Sequence, residues 1–221
     1  MLLNYLYDHF LEEHDFARAN DLSLAELQQL IEKRIFPAAS YTYNSSGRSL
    51  SFVSNFVDET TYRFHLVGYT GWMKAIRRYG LDSEDRARTY FFDCYGASRA
   101  AFASSDLGKL LTAAQPDVLD QFNADHANAT WDHFLNGVYG VCTRDGLPDS
   151  VFLKQSGVMF IEALTARGRD RLSDKEMDLL SQTVMHLDTV ESEFAPHEVE
   201  KSSRQRCIID VRETLLSGIA A

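Results

Sequence analysis

Residues 16–37 read FARANDLSLAELQQLIEKRIFP, and the spacing within this stretch sets the architecture of the N-terminal end. Ala17 is a small residue in a first short helix, where close helix crossing needs one. Asp21 stands where the chain must pass through left-handed backbone, and Leu22, Leu27 and Leu30 are spaced to lock a second helix onto the first. Ser23 with Glu26 makes a capping box that opens this second helix, and Pro37 ends the helical run. The pattern is that of a helix-turn-helix core. Aspartate replaces the usual glycine of the turn, which the backbone tolerates at some cost.

Upstream, Leu3, Leu6, Tyr7, Phe10 and Leu11 form one apolar stripe at helical spacing, with Asp8, Glu12 and Glu13 on the other side, so an amphipathic helix precedes the motif. Downstream the period changes. SYTYN and SLSFV flank the turn-forming Asn44-Ser45-Ser46-Gly47, and Tyr62, Phe64 and Leu66 alternate with Thr61, Arg63 and His65, which predicts two or three short strands between Tyr41 and Val67. Trp72 to Tyr79 reads as a short helix with a basic end, and a longer helix is expected from about Ser83 to about Ala103. From Ser105 onward the segments 106–113, 117–122, 125–142, 148–167, 174–193 and 203–217 all read as helices, punctuated by Pro148 in a first turn, Gly168 as a stop, and Ser173 with Glu176 as a second capping box. The expected fold is mainly α. It comprises a helix-turn-helix-like three-helix unit (1–37), short strands plus helices (38–104) and a helical bundle (105–221), packed as one globular domain.

Apolar residues make up 45% of the 221-residue chain, enough for an ordinary core without external staples. Thirty-two acidic against 22 basic side chains give a net charge of -10, so the average surface repels phosphate polyanions and anionic membranes. No stretch reaches the roughly 18 apolar residues of a membrane span, and MLLNYLYDHFLEEH lacks the basic start and cleavage site of a signal peptide, so a cytoplasmic protein is expected. Cys94, Cys142 and Cys207 are widely separated, which fits reduced thiols and not a disulfide framework or a structural zinc site.

Charge also weighs against the usual use of the N-terminal motif. Residues 1–37 hold only Arg18, Lys33 and Arg34 against seven acids, and the exposed positions of the presumed recognition helix are Ala25, Glu26, Gln28 and Gln29. Only the glutamines suit adenine edges, and Glu26 would face phosphates. With Ile35-Phe36-Pro37 behind it, the segment resembles the N-terminal end of MerR-type regulators, and that resemblance implies a recognition helix with the following strands as a wing. The charge makes nucleic acid a disfavoured partner.

In the C-terminal half, TWDHFLNGVYGVCTR (130–144) puts Trp131, Phe134, Leu135, Val138 and Cys142 on one core-facing side. Gly137 and Gly140 each cost about 1 kcal/mol relative to alanine in a helix, so something is expected to approach their backbone closely, a neighbouring helix before a ligand. His133 and Cys142 fall on opposite sides of a continuous helix, which argues against a thiol–imidazole dyad, and His126 and His133 are about 10.5 Å apart along one face, too far for one metal ion. No metal site and no cofactor is assigned. No Walker loop, Gly-x-Gly-x-x-Gly, Gly-x-Ser-x-Gly or His-Glu-x-x-His pattern occurs.

The densest run of hydrogen-bonding side chains is FAPHEVEKSSRQR (194–206), with His197, Glu198, Lys201, Ser202, Ser203, Arg204 and Arg206. Ser202 or Ser203 is expected to cap the last helix, whose first amides together with Arg204 and Arg206 suit a carboxylate or phosphate; the alternative is that both arginines pair with acids of neighbouring helices. Tyr139, Arg144 and Lys154 are further polar groups near glycines or helix ends.

YLYDHFL, LIEKRIFPAASY, WDHFLNGVYGVCTR with Pro148 and Lys154 after it, and APHEVEKSSRQRCIIDVR together resemble an uncharacterised bacterial family, a domain of unknown function whose members are sometimes labelled natural-product biosynthesis proteins. The resemblance implies a bacterial, cytoplasmic, biosynthesis-associated protein and assigns no role to any residue. The leading expectation is a protein that binds a small anionic metabolite or biosynthetic intermediate between the bundle and the closing segment. Tyr139, Arg144, Arg204 and Arg206 are the ligand-binding candidates, and His133 and His197 the candidate proton-transfer groups if the protein is an enzyme. The competing expectation is a helix-turn-helix-derived regulator or protein-interaction module in which Gln28, Gln29, Lys74, Arg77 and Arg78 meet the partner, and a structural scaffold stands behind both.

Overall fold

The N-terminal unit forms its three helices, with one correction: Phe10 and Leu11, expected in the stripe of the first helix, lie in a strand that follows it. A computed structural model describes residues 2–166, 168 and 171–217. Helix α1 (Leu2–His9) runs into a three-residue strand β1 (Phe10–Glu12), and α2 (Glu13–Ala19) and α3 (Leu24–Glu32) make the helix-turn-helix. Asp21 takes φ 50°, so the aspartate does adopt the left-handed turn conformation, and the amide of Leu22 donates to the carbonyl of Ala17 at 2.9 Å. Ser23 and Glu26 form the capping box, with Ser23 N–H donating to Glu26 at 2.7 Å. The strand β1 was not legible from residues 10–12, because its partner lies more than fifty residues away: Phe10 pairs with Leu66 and Glu12 with Phe64.

β2 (Tyr41–Leu50) and β3 (Asn55–Leu66) form a long antiparallel hairpin, giving a three-stranded sheet of order β1-β3-β2. The turn expected at Asn44–Gly47 lies instead at residues 51–54, where the Ser51 hydroxyl accepts the amides of Val53 and Ser54, each at 3.2 Å. Cross-strand packing decides the register. Tyr41 stands opposite Phe64 and Tyr43 opposite Tyr62, and this aromatic ladder carries β2 straight through the small polar residues.

Helices α4 (Thr70–Tyr79), α5 (Glu84–Ser104), α6 (Asp106–Ala114), α7 (Ala124–Leu135), α8 (Val138–Cys142), α9 (Pro148–Thr165), α10 (Asp174–Val190) and α11 (Asp210–Thr214) follow, with short 3-10 helices at Val67–Tyr69, Pro116–Gln121 and Val199–Lys201 and a π-turn at Gln205–Ile209. The helix expected over 125–142 is broken. Gly137 takes φ 73° and a side chain there would meet the carbonyl oxygen of Ala38 at 2.6 Å, so the extended segment after Pro37, not a helix, crosses the backbone here. Its path is fixed by the amide of Ala38, which donates to the carbonyl of Leu135 at 2.8 Å.

One hydrophobic core runs through all three segments, from Leu6, Phe16 and Phe36 through Trp72 and Phe91 to Phe152, Leu187 and Val211. α9 is its axis, burying Val151, Phe152, Phe160, Ile161 and Leu164 between α5 and α10. Arg34, itself left-handed at φ 57°, bridges Glu84 at 2.7 Å and Asp132 at 2.9 Å, so an ionic cluster spans the segments on the surface above the core. The protein is mainly α, with a small antiparallel sheet. Among the described residues, no helix is long and apolar enough to cross a membrane.

Candidate functional site: a cleft between the first helix and the bundle

The turn after α8 and the turn after α10 lie side by side. Thr143 and Glu191 form an antiparallel bridge, and the amide of Arg144 donates to the carbonyl of Val190 at 2.9 Å. The Ser192 hydroxyl closes the pair by donating to the carbonyl of Val141. Two short connections thereby become a rigid floor, since their backbone groups satisfy each other. α1 stands across from this floor, because β1 ties its end to β3.

Between them lies a cleft of about 370 Å³, lined by Tyr5, Asp8 and His9 of α1, by Leu66 and Val67 after β3, and by Gly140, Thr143, Arg144, Ser192 and Glu193 of the floor. That volume falls within the roughly 300–1,000 Å³ typical of small-molecule sites. Gly140 matters to its shape, since a side chain there would collide with the hydroxyl of Ser40.

The electrostatics of the wall are mixed. Arg144 brings a guanidinium whose Nη2 donates to the carbonyl of Asp188 at 3.1 Å. No described carboxylate lies within ion-pairing distance of it, in contrast to Arg34, Arg63, Arg204, Arg206 and Arg212. Asp8 and Glu193 supply the opposite sign. Tyr5 sits against His9, with ring centroids 4.7 Å apart, and burial raises its hydroxyl pKa, partly offset by the hydrogen bond to Tyr41. Tyr41 in turn donates to Glu198 at 2.5 Å, which anchors the closing segment beside the cleft.

Below the floor, Glu191 is fully buried and accepts a hydrogen bond from Ser203. Burial raises its carboxyl pKa, and the Ser203 hydroxyl, Lys154, Arg204 and Arg206 pull in the other direction. Among the described residues, no group of three or more histidine, cysteine, aspartate or glutamate side chains is placed to hold a metal ion.

The six residues singled out from the sequence do not gather around one hollow. Arg144 lines the cleft. Tyr139 is buried one residue from it, with its hydroxyl accepting from Gln155 at 2.7 Å in a core network that also holds Tyr95, His126 and Thr130. His133 is exposed on α7 with its ring 6.3 Å from that of Tyr139, and His197 is exposed 3.8 Å from Glu198. Arg204 pairs with Asp188 at 2.9 Å and Arg206 with Glu162 at 3.0 Å, the pairing with neighbouring acids that stood as the alternative. The last turn is capped as expected, Ser202 accepting the amide of Gln205 at 3.0 Å.

Tyr5, Asp8 and His9 escaped the sequence reading. They carried a signal, because residues spaced i, i+3 and i+4 share one helical face, but the apolar stripe of the same helix dominated. Ser192 and Glu193 had none; they reach the cleft only through the bridge to Thr143. No curated protein and no solved structure matches the chain. A family model does match, over residues 87–216, which takes in Arg144, Ser192 and Glu193 but neither the α1 wall nor residues 16–37. That span is more than half of the chain, and the chain therefore belongs to the Family of unknown function (DUF6058).

Proposed function

We propose that the cleft binds a small metabolite bearing a carboxylate or phosphate, with Arg144 as the anion-holding group. The observation that carries this reading is a guanidinium with no described carboxylate partner on the wall of a 370 Å³ cleft. Arginine prefers planar, bidentate acceptors, and an exposed one steadied by the Asp188 carbonyl, with no described carboxylate against it, is preorganised for them. Asp8 and Glu193 on the same wall favour a guest that also carries an amine or several hydroxyls, since a guest with negative charge alone meets two like charges. A small biosynthetic intermediate fits this chemistry, and a cytoplasmic setting belongs to the same proposal.

Thermal denaturation against a panel of carboxylates, amino acids and phosphorylated metabolites tests it. A ligand at about 100 times its Kd adds about 2.7 kcal/mol, a Tm rise on the order of 5–10 °C at this chain length. Arg144→Ala should abolish that rise, and Arg144→Lys should recover only part of it. Absence of any rise across the panel, or a rise undiminished in Arg144→Ala, refutes the reading.

A second reading has one observation in its favour: Asp21 turns left-handed between α2 and α3 with Ala17 buried, two features that a helix-turn-helix core uses. In it, Gln28 and Gln29 on α3 and Lys74, Arg77 and Arg78 on α4 would meet DNA or a protein partner. Arg77 is already engaged with the carbonyl of Asn20, which draws α4 toward the turn. Gel-shift binding that steepens at low salt would favour this reading; none at about 50 mM salt removes the DNA form of it.

A further inference from the structure

The hairpin β2–β3 outruns the body it grows from. Residues 46–59 are all exposed, on both faces, so the arm extends roughly 15 Å past its last packed residues. Its end is apolar. Phe52 is fully exposed in the turn with Val53 beside it, and Leu50, Phe56 and Val57 are 61–69% exposed. The register sets Val57 on one face with Leu50 and Phe56 on the other face with Ser49, so no single surface of this chain covers both. Between Arg48 and Asp58 there is no charged residue.

β2 is also an outer strand, and an unguarded one. Edge strands are normally protected by shortness, proline, bulges or charge. β2 pairs over ten residues without a bulge, contains no proline, and carries a single charged side chain, Arg48.

We infer that this arm is a self-association device, and that its occupant is a second copy of this chain docked antiparallel along β2. Three observations select that partner. A net charge of -10, with Asp58 and Glu59 at the base of the apolar tip, disfavours anionic bilayers and nucleic acid. A twofold axis at Ser46, perpendicular to the sheet, sets Ser46 opposite Ser46 of the second copy and Arg48 opposite Asn44, and no like charges face each other; the same operation on the free edge of β3 would set Glu59 against itself. Finally, Phe52 and Phe56 alone offer roughly 300 Å² or more, and with Leu50, Val53, Val57 and the strand edge the arm approaches the roughly 800 Å² per partner of a standard interface. Antiparallel overlap carries each tip toward the base of the other arm, where it is sheltered.

Sedimentation of the full chain decides the matter. The expected species has twice the 25.1 kDa chain mass. Phe52→Asp with Val53→Asp, and separately Ser46→Lys at the axis, should each reduce it to the mass of one chain, with circular dichroism and cooperative melting retained, since these positions are exposed. In the unmodified protein, amide exchange of residues 41–50 should slow as concentration rises, a readout that needs no substitution. A wild type of single-chain mass at about 100 μM, a doubled mass that persists in either variant, or a monomer that floats with zwitterionic vesicles overturns the proposal.

Discussion

His65 shows most sharply how a single side chain departs from its strand pattern. By alternation it belongs with Thr61 and Arg63 on the polar side of β3. It is instead fully buried, with its ring 5.2 Å from that of Phe16 and 5.9 Å from that of Phe36, because β3 ends beneath α2 and the segment after α3. Among the described residues neither ring nitrogen has a hydrogen-bond partner, and burial lowers its pKa to about 4. The folded state therefore holds the ring neutral while the unfolded chain protonates it near pH 6.5. Stability falls as pH drops through the window from about 6.5 to about 4 and is unaffected by this group above it; the loss is on the order of 3 kcal/mol. Urea midpoints at pH 7, 5.5 and 4.5 should show this slope, and His65→Phe should flatten it. An equal slope in the variant would assign the acid limb to other groups.

Among the elements, those with local causes were legible and those with distant causes were not. The two capping boxes, Ser23 with Glu26 and Ser173 with Glu176, open α3 and α10 as expected, because each is complete within four residues. The start of α9 at Pro148 and the Asp21 turn are local in the same sense. The break between α7 and α8 was half legible: two glycines announced a close approach, yet the approaching chain is residues 38–40 from the other end of the sequence. Gly137→Ala forces a side chain into left-handed backbone and against the carbonyl of Ala38, at a cost of about 2–3 kcal/mol. A Tm decrease of roughly 5–10 °C should result. A loss below about 1 °C would mean that the crossing segment yields freely.

Across the full chain, the continuous core has a direct thermodynamic consequence. The boundaries at 37/38 and 104/105 divide composition but not packing, since Phe36 meets Tyr69 across the first and Tyr69, Trp72 and Phe91 meet Phe134 across the second. Calorimetry should accordingly find one transition whose calorimetric and van't Hoff enthalpies agree. Two resolved transitions would show that the N-terminal unit melts by itself. The helical periods, the caps and stops, the amphipathic first helix, the acidic balance and the turn at Asp21 could all be read from residue order, because each depends on neighbours within about one helical turn. The mainly α class came with them. Folding in three dimensions was needed to place the hairpin turn at 51–54, pair β1 with β3, bury His65 and leave Arg144, not Arg204 or Arg206, as the open guanidinium. Each of these depends on which distant group arrives at hydrogen-bonding or van der Waals distance, and that is set by burying apolar surface from the entire chain at once, a quantity no local window of residues contains.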